Sequence, residues 1–331
     1  MTAAPTRQRV LSGMRPTGPL HLGHYLGALK NWVTMQDTHD CFFMSADLHA
    51  LSTSYDDTGG VRAARRVNLA EWIACGVDPA RAVVFEQSRV AEHSELHVIL
   101  SMITPLSWLE RVPTYKEQQE NLSHKDLSTY GFLGYPLLQS ADIILYRAHA
   151  VPVGQDQLPH LELTRELVRR FHHLYSCQVF PEPEAILSPV PKLSGLDGRK
   201  MSKSYNNALM LGDSKEDVKK KVLAAPTDPQ RIKRTDPGNP EVCNIYAWHK
   251  ALSALPVVEE VAAGCRSAGI GCVDCKKKLL VAMDAILDPV REKRAELVNN
   301  TALDDILVEG NRRARTVAHE TMEMVRDAVK L

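Results

Sequence analysis

The chain has 331 residues, of which 44% are hydrophobic and 24% charged, with 40 lysines and arginines against 40 aspartates and glutamates. A chain of this length predicts about two domains. No apolar run is long enough to span a bilayer and the polar opening lacks a signal-peptide core, which excludes an integral membrane protein and predicts a cytoplasmic one. Charge neutrality means that any polyanionic partner must be held by local patches rather than by the field of the whole molecule.

Along the chain, "RVLSG" (residues 9–13), "CFFMSAD" (41–47) and "AVVFEQS" (82–88) read as buried strands, each followed by apolar residues at helical spacing. Strands alternating with crossover helices predict an α/β fold built on a parallel, doubly wound sheet, with ligands beyond the carboxyl ends of its strands. Residues 92–148 read as mostly helical, broken at Pro105 and Pro113, and are expected to be an insertion in that layer. A further strand, "AVPVG", precedes a helix from about Asp156 to His173. Beyond "SGLDGRKMSKSYNN" the pattern becomes helices joined by Pro/Gly turns. The expected division is therefore 1–205 and an all-helical 206–331.

The stretch "GMRPTGPLHLGHYLG" (residues 13–27) reads as a strand, a small-residue turn and a helix starting near His21. A helix N-terminus offers unpaired N–H groups to a phosphate. Gly18 and Gly23 let it approach the backbone, and the imidazoles of His21 and His24 can donate to it. Surface or capping histidines are the plainer explanation of an isolated His-x-Gly-His. Far downstream, Lys200-Met201-Ser202-Lys203-Ser204 sits in a Gly-bearing loop whose two lysines suit a clamp on a phosphate leaving group.

Together with "ADLHALS", "YPLLQSADIILYRAHAVPVGQDQLPHLELTRE" and "LDGRKMSKS", these motifs resemble the class I aminoacyl-tRNA synthetases and, within them, the tryptophanyl-tRNA synthetase family, across nearly the whole chain. The resemblance implies a Rossmann-type catalytic domain that activates L-tryptophan with ATP and Mg²⁺ and passes it to tRNA(Trp), in a homodimer. It implies an ATP site at Arg15, Pro16, Thr17, Gly23, His24, Gly154, Gln155, Asp156, Lys200, Met201, Ser202, Lys203 and Ser204, with His21, His24, Lys200 and Lys203 catalytic. Asp142, an acid in an otherwise apolar helix, matches the acceptor of the indole N–H. Tyr135, Gln139, His49, Val151, Val153, Gln157 and Leu11 would complete the tryptophan pocket. Gln155 and Arg15 depart from the family's common Glu and Gln. Leu11 stands where many tyrosine enzymes carry a tyrosine that reads the phenol, which favours tryptophan over tyrosine.

Cys243, Cys265, Cys272 and Cys275 have the spacing C-x21-C-x6-C-x2-C, which suits a [4Fe–4S] cluster or a tetrahedral Zn²⁺, against the simpler reading of four reduced thiols. A minority of the tryptophanyl family resembles this chain in such a quartet, where it holds a [4Fe–4S] cluster, and iron–sulfur is therefore expected. Lys276 to Lys278, Lys219 to Lys221, Arg231, Lys233, Arg234, Arg312, Arg313 and Arg315 are candidates for RNA phosphate contacts. Three readings compete with the tryptophan enzyme: a tyrosine–tRNA ligase, a small-molecule nucleotidyltransferase, and a non-catalytic synthetase-like RNA-binding paralogue.

Overall fold

A computed structural model describes residues 7–113, 127–187, 193–199, 201 and 207–331. Lys200, Ser202, Lys203 and Ser204 lie outside the described residues.

The three apolar runs near the start form β1 (Arg9–Met14), β2 (Asp40–Ser45) and β3 (Ala82–Glu86). The interior of β2 and all of β3 are buried, as expected of parallel strands covered on both faces. With β4 (Ala150–Val153) and β5 (Glu184–Leu187) they make a five-stranded parallel sheet in the order β3-β2-β1-β4-β5. The strand order reverses between β1 and β4, so a crevice opens above their carboxyl ends. Short β5 has only half-buried and exposed residues, so no apolar alternation announced it.

The helices fall on both faces. After β1 come α1 (Leu22–His24), a π-helical turn (Tyr25–Leu29) and α2 (Lys30–Met35). After β2 come α3 (Asp47–Ser54) and α4 (Thr58–Ala74), the latter capped by Asp57 accepting from Gly60 N–H. Between β3 and β4 lie α5 (Glu92–Ser101), α6 (Leu106–Glu110), α7 (Tyr130–Leu133) and α8 (Tyr135–Leu145). Helix α9 (Leu158–Tyr175) ends at Ser176 in the left-handed conformation. Five more follow: α10 (Lys215–Ala224), α11 (Asn244–Leu252), α12 (Leu255–Arg266), α13 (Cys272–Val298) and α14 (Ala302–Val329). None of the described helices is long and apolar enough to cross a membrane.

Among the described residues two large apolar cores result, with a small third cluster at Leu127, Phe132 and Tyr135. One joins Trp32, Phe43 and Trp72 to Leu279, Met283 and Leu287 of α13, with Trp32 stacked on Phe43 at 4.5 Å. The other joins Phe85, Leu96, Leu145 and Phe171 to Ala314, Ala318 and Met322 of α14. The helical segment therefore contributes to both cores. At Gly310, α14 presses so closely on β3 that a Cβ would stand 1.8 Å from the Val84 carbonyl oxygen. Asn311 accepts the Glu86 N–H at 2.8 Å and Arg313 donates to the Ala82 carbonyl at 3.3 Å.

Candidate active site

In the crevice at the β1/β4 reversal lies a cavity of about 340 Å³. Leu11 enters its wall from β1, Val151 and Val153 from β4, His49 from α3, Tyr135, Gln139 and Asp142 from α8, and Gln157 from the turn after β4. All eight residues expected around tryptophan thus line one cavity, with Arg15 and Gly154 at its edge. Gly13 fits in the floor because a Cβ there would meet the Met44 carbonyl at 2.9 Å.

Asp142 is buried, and a lone carboxylate in an apolar helix would be costly. His49 Nε2 lies 2.8 Å from Oδ2, His93 Nδ1 2.7 Å from Oδ1, and the Gln87 amide donates to both oxygens at 2.8 and 3.0 Å. Burial alone would push this carboxyl up, but His93 and His49 outweigh it and hold it at about 2. A carboxylate only accepts, so His93 Nδ1 carries a proton and its Nε2 faces the Tyr146 hydroxyl at 2.8 Å. Burial pushes the Tyr146 phenol up, and it keeps the proton it donates. Arg147, five residues on, faces Glu320 at 3.6 Å. Gln87 and His93 come from the far side of the helical insertion, and no local spacing pointed to them.

His160, one turn into α9, was also missed. Its Nδ1 meets Gln139 Oε1 at 2.6 Å and its Nε2 meets the Tyr135 hydroxyl at 3.4 Å, so one imidazole orients two cavity residues. Burial pushes it down to about 4, which keeps it neutral at physiological pH.

Beside the cavity, the His-x-Gly-His segment is pinned by neighbours distant in sequence. Leu22 N–H donates to the Leu209 carbonyl and Leu211 N–H to the Leu20 carbonyl, both at 2.8 Å. His21 N–H donates to His24 Nδ1 at 3.1 Å, and the two rings lie 3.8 Å apart. The space a Gly23 Cβ would fill is 3.4 Å from Met201 Sδ. Buried Met201 thus stands close to the histidine pair. The approach turns at Gly18, where φ is +112°, and Asn68 Nδ2 holds its carbonyl at 2.9 Å. Pro16 is buried in this turn, whereas Arg15 and Thr17 face outward. Arg15 is among the residues that line the cavity, where desolvation pushes its guanidinium down from its usual value while leaving it cationic. Gln155 and Asp156 lie outside the cavity wall in a short 3₁₀ turn (Gln155–Gln157), and both are exposed. An added Cβ at Gly154 would stand 2.7 Å from Asp156 Oδ1, so that carboxylate would have to swing aside.

The class I tRNA synthetase model for tryptophan and tyrosine (W and Y) matches residues 4–288. The chain belongs to that family. It is 52% identical over 326 residues to tryptophan–tRNA ligase of Thermotoga maritima, covering 98% of this chain and 99% of that one. The crystal structure of tryptophanyl-tRNA synthetase from Campylobacter jejuni, complexed with ADP and tryptophan, superposes with a TM-score of 0.89 at 33% identity, covering 98% of this chain and 100% of that one. Tyrosyl-tRNA synthetase from Aeropyrum pernix, at 20% identity and a TM-score of 0.66 over 92% of this chain and 90% of that one, shares the fold.

The cysteine quartet lies in the helical segment. Burial, then the charges of Cys243, Cys265 and Cys272, pushes the Cys275 thiol up to about 12. Arg231 enters among them, its Nη1 3.8 Å from Cys272 Sγ. Among the described residues no group of three or more His, Cys, Asp or Glu is disposed to hold a metal ion. Two of the basic residues bond to backbone carbonyls within the fold. Lys276 is buried and donates to the carbonyls of Leu223 and Ala225, both at 2.7 Å, closing the end of α10. Arg313 is likewise occupied by the Pro79 and Ala82 carbonyls. Lys219, Lys220, Lys233 and Arg234 are exposed.

Proposed function

We propose that the chain is a tryptophan–tRNA ligase. The tryptophan carboxylate attacks the α-phosphorus of ATP, the bond to the bridging oxygen breaks, and pyrophosphate leaves. A ribose hydroxyl at the tRNA terminus then attacks the carbonyl of the adenylate and AMP departs. Neither step needs a covalent enzyme intermediate, so the protein's part is positioning and charge stabilisation.

The observation that carries this reading is the anionic Asp142 at the base of a cavity of about 340 Å³. Its carboxylate accepts the indole N–H, Leu11 and Val151 cover the apolar ring, and Tyr135, Gln139 and Gln157 take the polar end. At Leu11 there is no hydroxyl to pair with a phenol, and this supports tryptophan over tyrosine. Arg15, Pro16, Thr17, Gly23, Gly154, Gln155 and Asp156 hold ATP, which brings its Mg²⁺ with the phosphates. His21 and His24 face the triphosphate, and Lys200, Met201, Ser202, Lys203 and Ser204 close on the pyrophosphate. Tryptophan-dependent exchange of pyrophosphate into ATP tests the reading; exchange that prefers tyrosine, or no exchange with any amino acid, would sink it.

We assign residues 206–331 to tRNA recognition and place the enzyme in the cytoplasm as a homodimer. Exposed Val98 on α5 and Met102 just past its end, with exposed Leu106 on α6 and Tyr130, whose ring lies 6.3 Å from that of His97 on α5, supply apolar surface for a second copy.

Cys243, Cys265, Cys272 and Cys275 would hold a [4Fe–4S] cluster after their sulfurs draw together, with Zn²⁺ the alternative. Arg231 Nε is a buried donor with no partner among the described residues, and a sulfide-bearing cluster offers acceptors beside it. The cluster would staple the helical segment and take no part in the transfer. Anaerobically purified protein should contain iron and sulfide and lose both in Cys272→Ser; colourless protein, with zinc or with four titratable thiols, refutes the cluster.

A further inference from the structure

Between α4 and α14, at the carboxyl end of edge strand β3, lies a second large concavity of about 780 Å³, outside the tryptophan cavity and lined by arginines. Arg62, Arg65 and Arg66 come from α4, Arg89 from the turn after β3, and Arg312 and Arg315 from α14. Only two of the six appeared among the basic residues singled out by sequence, because the rest come from segments more than 200 positions away.

These arginines do different work. Arg65 is structural: it pairs with Asp47 at 3.0 Å and with buried Glu86 at 2.7 Å. Arg66 is structural too, donating to the Val298 and Asn300 carbonyls and pairing with Asp304. Arg312 is engaged by Glu309 one turn back. The remaining three are open. Among the described residues Arg62 has no ion pair or hydrogen bond, the Arg89 side chain makes only a 3.7 Å contact with Glu86, and Arg315 donates only to the Arg89 carbonyl. Six arginines line the groove against two lining carboxylates, Glu86 and Asp304; even with Asp47 and Glu309, which pair with Arg65 and Arg312 from outside the lining, positive charge is in excess.

We propose that this groove binds the phosphodiester backbone of RNA, with Arg62, Arg89 and Arg315 as the phosphate contacts. The inference rests on the tRNA-ligase reading for the identity of the RNA. Planar guanidinium groups suit phosphate oxygens bidentately. The groove is open, charged and far larger than a single phosphate needs, unlike the mostly apolar pockets that take small molecules. It is also joined to the active site: Arg65 pairs with Asp47, which opens the helix carrying His49, and His49 meets Asp142 at 2.8 Å. RNA bound here would rest against a wall continuous with the tryptophan pocket.

The test uses the full-length protein and an unmodified tRNA transcript with a CCA anticodon, followed by fluorescence anisotropy between about 50 and 200 mM salt. The double variant Arg62→Gln, Arg89→Gln should bind roughly tenfold more weakly, with a slope of log K against log salt shallower by about 2, since each duplex phosphate contact contributes about 0.9. Arg62→Lys, Arg89→Lys should restore the slope, because it restores the charge. Tryptophan-dependent pyrophosphate exchange should be unchanged in both. An unaltered salt slope overturns the proposal, and so does a change in sedimentation with RNA binding intact, which would make the groove a protein contact. If wild-type protein gave no exchange while the slope still fell in the glutamine variant, the ligase reading would fail and the groove would stand.

Discussion

Arg294 of α13 places its Nε 3.0 Å from Glu71 Oε1 on α4, while the other oxygen of the same carboxylate accepts the Leu20 N–H at 2.9 Å. A cation from the C-terminal helices thus fixes the backbone one residue before His21. Glu71 is fully buried, and removing Arg294 takes away the cation that offsets the burial of its charge. Breaking a buried pair costs about 3–5 kcal/mol, and the part-exposed Arg294 places this one toward the lower figure. Arg294→Met should lose stability on that scale in urea unfolding and raise the KM for ATP more than that for tryptophan.

The network beneath Asp142 sets a pH dependence. His93 and His49 hold its carboxyl at about 2, below the unfolded value of about 4. Its contribution to stability is therefore present above about pH 4 and lost as pH falls toward 2. His93→Leu removes one of the groups opposing burial, so the carboxyl should titrate at higher pH. The KM for tryptophan should then rise at mildly acidic pH in the variant and stay flat in the wild type. Asp142→Asn should raise that KM roughly ten- to hundredfold at all pH values, the worth of one charge-assisted hydrogen bond.

His160 has the opposite chemistry and the same direction. With its value lowered to about 4 from an unfolded value near 6.5, the unfolded chain binds more protons between those limits. Stability from this group is complete above about pH 6.5 and drains away as pH falls to about 4. A His160→Gln variant should show a flatter stability profile over that window in denaturant titrations, together with weaker tryptophan binding through displaced Gln139 and Tyr135.

Lys276 separates structural from RNA-facing lysines. Lys276→Met strands two helix-end carbonyls and should cost about 1–3 kcal/mol in thermal or chemical unfolding. Its KM for tRNA should not change, whereas Lys219→Gln with Lys220→Gln, both exposed, should leave stability within about 0.5 kcal/mol.

Much of this architecture could be read along the chain, because four strands are continuous apolar runs and the cavity walls come from stretches that carry their own pattern. Leu11, Val151 and Val153 sit on strands whose apolar character was visible, and Asp142 stood out as the one acid in its helix. What surrounds Asp142 was not visible: Gln87 and His93 follow another strand, 55 and 49 positions away, and only packing joins them. β5 was silent for lack of burial. The cysteine spacing suited a [4Fe–4S] cluster or Zn²⁺, and nothing in it announced Arg231, whose side chain reaches Cys272 from 41 positions away. Linear spacing states which ligands are present and leaves their convergence to the fold.

The close seat of Gly310 on β3 bears on how the chain is made. β3 ends the sheet, and an uncovered strand edge bearing "AVVFE" invites pairing with another chain. Here the cover comes from α14, through Asn311 on the Glu86 N–H and Arg313 on the Ala82 carbonyl. During synthesis the sheet emerges more than a hundred residues before that cover does, so a ribosome-bound intermediate carries an open strand edge until its last helix arrives. Gly310→Ala, which puts a methyl group into the Val84 carbonyl, should keep that edge open after release as well, and its signature would be aggregation of newly made protein rather than a lowered turnover.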